Sequence, residues 1–245
     1  MNNEIFQRLI LSIGIEKFNK LQNKRVAIIG LGGVGSYSLE VIARSGINNI
    51  LIMDKDVIDV TNINRQLLAL NSNIGEYKTD LAYKRILDIN PNCNITKYTT
   101  FLDESNMNLM LVVKPDYVID CIDTISSKYE LIKTCLLNDI KIVSSMGTAN
   151  KFYPEKLMIT TIDKTEMDPI ARIIRQKLKK DRLNKKFYVV YSNEEPFKQK
   201  EVLNDSTIRK ESMPLSSNAF VPSTAGILLS SKVINLLLEE LSHEN

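Results

Sequence analysis

Short, mostly apolar runs alternate with amphipathic stretches along most of the chain. The apolar runs are typical of strands buried in a parallel sheet, and they lie at 25–29, 49–53, 95–99, 117–121, 141–145, 157–161 and 188–191. Apolar residues at helical spacing occupy 4–20, 36–45, 78–88, 126–137, 168–180 and 220–240. This alternation predicts an α/β fold, with a doubly wound, Rossmann-like and mainly parallel sheet.

The regular alternation of predicted strands and helices is interrupted after residue 163. A basic helix is expected first, followed by a polar, proline-containing stretch, and we interpret 163–212 as a helical and loop excursion on one face that is partly mobile. A chain of 245 residues with 44% hydrophobic content is long enough for one sizeable core. Residues 1–245 are therefore expected to form a single domain.

Positive charge is concentrated in one short stretch, although the net charge of the chain is only +3. Residues 172–186 carry eight lysines and arginines against a single acid, Asp181. Such a run is either a solvated helix face or a surface for a polyanionic partner. The candidates for phosphate contacts are Arg172, Arg175, Lys179 and Lys180.

Cysteine and histidine usage excludes several classes of site. The three cysteines, Cys93, Cys121 and Cys135, are far apart, which opposes a four-thiolate zinc site and a disulfide framework. The only histidine, His243, lies in a charged tail, so a histidine triad is not supported. The N-terminus has no apolar signal core, and 225–238 is too short to span a bilayer. A cytoplasmic protein without membrane insertion is expected.

A glycine-rich turn follows the first predicted strand and opens a helix, in the sequence Gly30-Leu31-Gly32-Gly33-Val34-Gly35. Glycines allow the tight turn and let main-chain amides approach a phosphate at the helix N-terminus. Asp54 ends the second strand, where an acid accepts hydrogen bonds from ribose hydroxyls. These features fit NAD, FAD and ATP equally well.

Cations beyond the second strand favour ATP. Arg65 and Lys78 have no role in a simple dinucleotide fold, whereas cleavage between the α- and β-phosphates builds charge that fixed cations offset. Asp120 and Asp123 end the fourth strand, and Asp123 is a candidate ligand for the Mg²⁺ that accompanies ATP. Asp120 is either a second functional acid or a structural residue.

These motifs resemble the adenylation domain shared by the ThiF/MoeB/HesA proteins and the ubiquitin-activating enzymes. The resemblance implies that Asp54 binds ribose, that Asn62, Arg65 and Lys78 contact phosphates, and that Asp123 holds Mg²⁺. It also implies a homodimer in which Arg8 reaches into the partner's site. The candidate nucleotide-binding residues are Gly30, Gly32, Gly33, Gly35, Asp54, Asn62, Arg65, Gln66, Lys78, Asp123 and Thr124, and the candidate catalytic residues are Arg8, Arg65, Lys78 and Asp123.

Further segments resemble the TcdA branch, the tRNA threonylcarbamoyladenosine dehydratases. They are 61–66, 88–92, 144–147, 168–172, 189–196 and 220–226. The resemblance implies that the threonyl carboxylate of a modified adenosine beside the anticodon attacks the α-phosphate of ATP, and that the carbamoyl group then displaces AMP and closes a ring. It also implies a monovalent cation (Na⁺ or K⁺) near the later loops and sulfur-relay proteins as partners.

Three other functions remain open on the sequence alone. Adenylation of the C-terminus of a ubiquitin-like sulfur carrier is the main alternative, which the missing zinc cysteines oppose. A regulatory module without catalysis is opposed by the joint presence of Arg65, Lys78 and Asp123. An NAD-dependent oxidoreductase is the least supported. Cys121 and Cys135 are interpreted as packing residues rather than nucleophiles.

Overall fold

A computed structural model describes residues 3–199 and 215–243 of the chain. Over these residues one sheet contains the strands β1 (Arg25–Ile29), β2 (Asn49–Met53), β3 (Asn94–Tyr98), β4 (Tyr117–Asp120), β5 (Lys141–Ser145), β6 (Leu157–Thr161) and β7 (Tyr188–Ser192). Their spatial order is β3-β2-β1-β4-β5-β7-β6. Neighbouring strands are parallel except β6, which pairs antiparallel with β7. The predicted doubly wound, mainly parallel sheet is confirmed.

Helices cover both faces of this sheet. They are α1 (Gln7–Ile13), α2 (Ile15–Gln22), α3 (Gly35–Arg44), α4 (Lys78–Ile89), α5 (Asn108–Val113), α6 (Ile125–Leu137), α7 (Pro169–Lys180) and α8 (Phe220–His243). Short 3₁₀ helices lie at Asn3–Phe6, Val60–Asn62, Asn71–Asn73, Pro154–Lys156 and Ile162–Lys164. Apolar residues of α2, α3, α4 and α8 pack on one face of the sheet, and those of α5, α6 and α7 pack on the other.

Helix α8 is the longest and lies within the larger of the two apolar layers. By length and composition it is the one helix of the described residues that passes a test for crossing a membrane. Its apolar stripe, however, is buried against α3 and the sheet, with Ala225, Leu229 and Val233 each 0% exposed. The helix therefore belongs to the core of the fold, as expected for 220–240.

Close packing of α8 on α3 depends on Gly226. A Cβ atom at this position would lie 2.2 Å from the carbonyl oxygen of Val34 and 3.1 Å from the amide nitrogen of Ser38. The Ser38 hydroxyl also donates a hydrogen bond to the Gly226 carbonyl (3.0 Å), and the Ser230 hydroxyl donates to the Ser38 carbonyl (3.0 Å). The backbones of the two helices thus meet without a side chain between them.

Several expectations about individual elements are corrected. The helix expected over 4–20 is interrupted at Gly14, whose φ of 83° ends α1 before α2 begins. Helix α5 was not expected, because its six residues are too few for a clear helical period.

The excursion expected over 163–212 is part of the main fold as far as 199. Helix α7 buries Ala171, Ile174 and Leu178, and β7 lies between β5 and β6. The remaining part of that expectation, 200–212, lies outside the described residues.

The contact at Gly226 generates a first prediction. Gly226→Ala improves helix propensity, but the added methyl group overlaps backbone atoms, so we expect a net loss of about 1–3 kcal/mol in unfolding free energy. Urea denaturation measures it. Ile227→Ala, at a 45% exposed position on the same helix, is the control and should change stability by less than about 1 kcal/mol. An unchanged urea midpoint for Gly226→Ala would show that α3 and α8 can move apart without loss of unfolding free energy, which would contradict the importance of this contact.

Candidate functional site

A cleft of about 830 Å³ opens at the carboxyl ends of the strands, where β1 and β4 lie side by side. The order of the strands reverses at this point, and the crevice there is where open α/β sheets bind ligands. The cleft is lined by Ile29, Gly30, Gly32, Gly33, Val34, Met53, Asp54, Lys55, Asp56, Val57, Asp59, Asn62, Arg65, Gln66, Lys78, Thr100, Phe101, Leu102, Cys121, Ile122, Asp123, Thr124, Thr148, Ala149, Leu215, Ser217 and Pro222.

The glycine turn forms the floor of the cleft and cannot carry side chains at its ends. Gly30 has a φ of 90°, and a Cβ atom there would lie 2.9 Å from the Cys121 carbonyl oxygen. A Cβ at Gly35 would lie 1.8 Å from the carbonyl oxygen of Gly30. Between them Gly32 and Gly33 border the cleft just before α3 begins. Main-chain amides and the helix N-terminus therefore face a site that suits a phosphate.

Asp54 is held rigidly at the end of β2. One carboxylate oxygen accepts the Leu31 amide (2.6 Å) and the other accepts the Asp56 amide (2.8 Å). Burial raises the pKa of Asp54 above its usual value, and the charge of Lys78 opposes that rise. The carboxylate thus links the glycine turn to the segment after β2, in the position where ribose hydroxyls are bound in this type of fold.

Lys78 and Arg65 bring positive charge to the same side of the cleft. The Lys78 side chain is buried at the start of α4, and its ammonium group lies 2.9 Å from a carboxylate oxygen of Asp56. Arg65 is half-buried, and its Nη1 donates to the Thr61 carbonyl (2.7 Å) and to the Asn64 side chain (2.9 Å). Both cations are thus oriented by short-range contacts before any ligand binds.

Asn62 and Gln66 are buried beside these cations. The Asn62 side-chain oxygen accepts the Asp59 amide (3.3 Å), which fixes the 3₁₀ turn that precedes Arg65. The Gln66 side chain is 7% exposed, and its oxygen has no hydrogen-bond partner among the described atoms. A buried polar oxygen without a partner is costly, so Gln66 carries an unmet hydrogen-bonding group in the wall of the cleft.

Asp123 and Thr124 border the cleft from the opposite side. Both are exposed after the end of β4, and the Thr124 hydroxyl lies 3.3 Å from an Asp123 carboxylate oxygen. Mg²⁺ in nucleotide sites is usually held by one or two carboxylates together with phosphate oxygens. The free face of Asp123 therefore fits a Mg²⁺ ligand, while no group of three His, Cys, Asp or Glu side chains within 3–199 and 215–243 is placed to hold a metal alone.

Asp120 belongs to the structure beneath the cleft. It is fully buried, and one carboxylate oxygen accepts both the Lys128 ammonium (2.6 Å) and the Ser144 hydroxyl (2.5 Å). The other oxygen accepts the Ile122 amide (3.0 Å), which lies in the turn that leads to Asp123. Asp120 is therefore a structural residue rather than a second acid that faces the ligand. Lys128 and Ser144, which the sequence did not single out, hold it in place.

The remaining predicted residues lie outside the cleft. Arg8 is exposed on α1. On α7, Arg172, Lys179 and Lys180 are exposed, whereas Arg175 is half-buried and donates to the carbonyls of Ile162 (3.4 Å) and Thr165 (3.1 Å). Arg175 therefore supports the turn before the helix, whereas the other three candidates remain exposed.

The cysteines are not activated. Burial raises the pKa of Cys93 and that of Cys121 to about 12, and it raises the pKa of Cys135 further. Their thiolate forms are disfavoured, which agrees with the interpretation of Cys121 and Cys135 as packing residues.

Comparison with known proteins identifies the family. The profile of the ThiF family matches residues 6–240. This chain belongs to the ThiF family. Among its ThiF relatives, the tRNA threonylcarbamoyladenosine dehydratase of Bacillus subtilis (strain 168) is 46% identical over 242 residues, which are 96% of this chain and 95% of the relative. The Escherichia coli (strain K12) dehydratase is 38% identical over 156 residues, 64% of this chain and 58% of that relative.

Solved structures agree with this ThiF assignment. The E. coli dehydratase TcdA in complex with ATP superimposes with a TM-score of 0.88 and 28% sequence identity, covering 99% of this chain and 97% of that chain. E. coli MccB has a TM-score of 0.64 at 19% identity, covering 97% of this chain and 64% of that chain, and shows a shared fold. The sequence resemblance to the ThiF family and to its TcdA branch is confirmed.

The buried pair below the cleft generates a second prediction. Lys128→Met leaves the Asp120 carboxylate without its cation, so we expect a loss of about 3–5 kcal/mol in unfolding free energy. The matched control is Lys133→Met, since Lys133 lies on the same helix as Lys128 but forms a half-exposed pair with Asp181. Its loss should cost less than about 1 kcal/mol of unfolding free energy. Equal denaturation midpoints for the two variants would contradict a stabilising role for the buried pair.

Proposed function

We propose that this ThiF protein dehydrates threonylcarbamoyladenosine in tRNA, using ATP to activate the threonyl carboxylate as an acyl-adenylate. The observation that carries the proposal is the convergence of the glycine turn, Asp54, Arg65, Lys78 and Asp123 in one cleft. A dehydratase of B. subtilis matches this chain over nearly its whole length, and TcdA of E. coli, with the same fold, was crystallised with ATP.

Each part of the cleft suits one part of ATP. The glycine turn presents amides to a phosphate, and Asp54 accepts hydrogen bonds from the ribose. Arg65 and Lys78 offset the charge that grows on the phosphates as pyrophosphate leaves. Asp123 would hold Mg²⁺, which neutralises phosphate charge when it is bound.

Activation and ring closure follow from proximity. An oxygen of the threonyl carboxylate attacks the α-phosphorus, and pyrophosphate departs. The carbamoyl group then attacks the activated carbonyl carbon, AMP leaves with one of the carboxylate oxygens, and the net loss is one water molecule. Both reacting groups belong to the same side chain of the nucleoside, so no enzyme nucleophile is needed. The raised thiol pKa of Cys121, which borders the cleft, agrees with this.

The basic face of α7 offers a path for the tRNA backbone. The helix begins beside the cleft edge, since Asp168 accepts the amide of Gly147 (3.1 Å) just beyond β5. It then runs toward the opposite edge of the sheet, where Lys133 of α6 pairs with Asp181. Arg172, Lys179 and Lys180 are the exposed cations along this path, and phosphate contacts by such side chains contribute affinity without sequence specificity.

The wider assembly is also proposed from the family. The chain acts as one adenylating domain over 1–245 in the cytoplasm, as a homodimer whose Arg8 completes the partner's site. A monovalent cation near the later loops and sulfur-relay proteins as partners belong to the same proposal. The competing substrate is the C-terminus of a ubiquitin-like sulfur carrier. No feature of the described cleft favours it over the nucleoside.

The test of the function is mass spectrometry of nucleosides from modified tRNA incubated with the protein, ATP and Mg²⁺. We expect a species lighter by one water molecule, and AMP and pyrophosphate in equal amounts. An unchanged tRNA together with adenylation of a carrier protein ending in Gly-Gly would replace the dehydratase function with the alternative.

A third prediction concerns the cations of the cleft. Arg65→Ala and Lys78→Ala should each lower kcat/KM by about 30–1000-fold, which corresponds to about 2–4 kcal/mol of transition-state stabilisation. Steady-state pyrophosphate release measures this. Lys84→Ala, on the exposed side of α4, is the control and should retain activity. A change limited to KM would indicate that the cations bind ATP equally in the ground and transition states.

A fourth prediction concerns Arg8. If Arg8 acts in the partner's site, mixed dimers of Arg8→Ala and Lys78→Ala chains contain one site without either defect. Random mixing should then restore up to about a quarter of the wild-type activity. Heterodimers verified by mass spectrometry that remain inactive would contradict a role across the interface.

A further inference from the structure

Three aromatic side chains are exposed together beside the cleft. Phe152, Tyr153 and Phe220, which we call the aromatic platform, are 55%, 49% and 38% exposed. The rings of Phe152 and Phe220 lie 5.0 Å apart at 83°, and those of Phe152 and Tyr153 lie 6.1 Å apart at 81°. A contiguous group of exposed large apolar side chains is typical of a binding surface, whereas single ones are common on any protein.

Buried side chains fix the backbone of Phe152 and Tyr153. The buried carboxylate of Glu194 accepts the Phe152 amide with both oxygens (2.9 and 3.0 Å) and the Tyr153 amide with one (3.0 Å). The buried ammonium of Lys151 donates to the carbonyls of Ser192 (3.0 Å) and Glu194 (2.7 Å). The rings are therefore presented by a preorganised segment, which lowers the ordering cost of binding.

The platform borders the mouth of the cleft. Phe152 follows Thr148 and Ala149, which line the cleft, and Phe220 precedes Pro222, which also lines it. The first residue of β6 pairs with the last residue of β7, so the segment before β6 lies at the carboxyl edge of the parallel strands. Cleft and platform thus share one edge of the molecule.

We propose that the aromatic platform stacks against unpaired bases of the tRNA loop that flank the modified adenosine. This inference rests on the proposed function. A nucleoside that enters the cleft must leave its base stack, and its neighbours then expose ring faces. Aromatic side chains bind such faces with little dependence on base identity. Phe152 and Tyr153 supply those faces next to the point where the reacting nucleoside enters.

Charge near the platform is mixed, which separates its role from that of α7. Lys156, 5.0 Å above the Tyr153 ring, and Lys198 are exposed there, as are Glu155 and Glu195. The platform therefore offers stacking rather than a phosphate track. Its contribution to tRNA affinity is expected to be independent of salt, whereas removal of each α7 cation that binds a phosphate lowers the logarithmic salt slope by roughly 0.7–0.9.

The test measures binding of a threonylcarbamoyladenosine-containing anticodon stem-loop RNA by fluorescence anisotropy over a salt series. Phe152→Ala and Tyr153→Ala should each weaken binding by about tenfold without changing the salt slope. Phe152→Trp should retain affinity, and Phe152→Leu should lose it, because a leucine keeps apolar volume but has no ring. Tyr83→Ala, an exposed tyrosine on α4 outside the cleft lining, is the control and should bind like wild type.

Sedimentation and ATP binding are measured on the same variants. Unchanged oligomeric state and ATP affinity, with weaker RNA binding, support the platform. Dissociation of a dimer by Phe152→Ala would assign the surface to a second copy of the chain and overturn the proposal. Full affinity of Phe152→Leu would show that binding needs no ring and would overturn it too. RNA affinity unchanged in every variant would overturn it as well. Turnover by the wild-type protein tests the dehydratase function separately, so the two failures remain distinguishable.

Discussion

The close approach of three backbone segments at the junction of β1 and β4 determines the rest of this structure. The turn after β1 lies between the turn after β4 and helix α8, and glycines stand at each contact. Gly30 meets Cys121, Gly35 meets the carbonyl of Gly30, and Gly226 meets Val34. These distances leave no room for Cβ atoms, so the cleft depends on glycines that are distant in sequence as much as on the motif itself.

The buried ion pair of Asp120 and Lys128 connects this packed junction to the residues that line the cleft. It fixes the end of β4 against α6 and, through Ser144, against β5. The same carboxylate accepts the amide of Ile122, so the turn that presents Asp123 is oriented by a fully buried acid. A preorganised site of this kind needs little rearrangement as charge develops on a phosphate. The same ion pair therefore contributes to the stability of the fold and to the position of Asp123.

Much of the fold and the centre of the site could be predicted from the sequence, because their signals are local. The apolar runs identify the strands, and the spacing of Gly30, Asp54 and Asp123 places them at strand ends that meet at one edge. Lys128 could not be identified, since its sequence position resembles a solvated helix residue and its burial depends on how α6 packs. Helical spacing places Arg175 on one face with Arg172 and Lys179, but it does not predict that Arg175 binds carbonyls of the preceding turn. The antiparallel pairing of β6 is likewise a consequence of tertiary structure, whereas the break at Gly14 is local, because glycine readily adopts the positive φ found there.

The account depends centrally on a carboxylate oxygen that passes from the nucleoside to AMP. The direct measurement uses tRNA whose threonyl carboxylate carries ¹⁸O, followed by mass spectrometry of the nucleotides released after ring closure. Adenylation predicts AMP with one ¹⁸O atom and pyrophosphate without label. Label in inorganic phosphate with release of ADP would show activation at the γ-phosphate, and unlabelled AMP would show that the carboxylate never bonds to the α-phosphorus. Either result would contradict the acyl-adenylate.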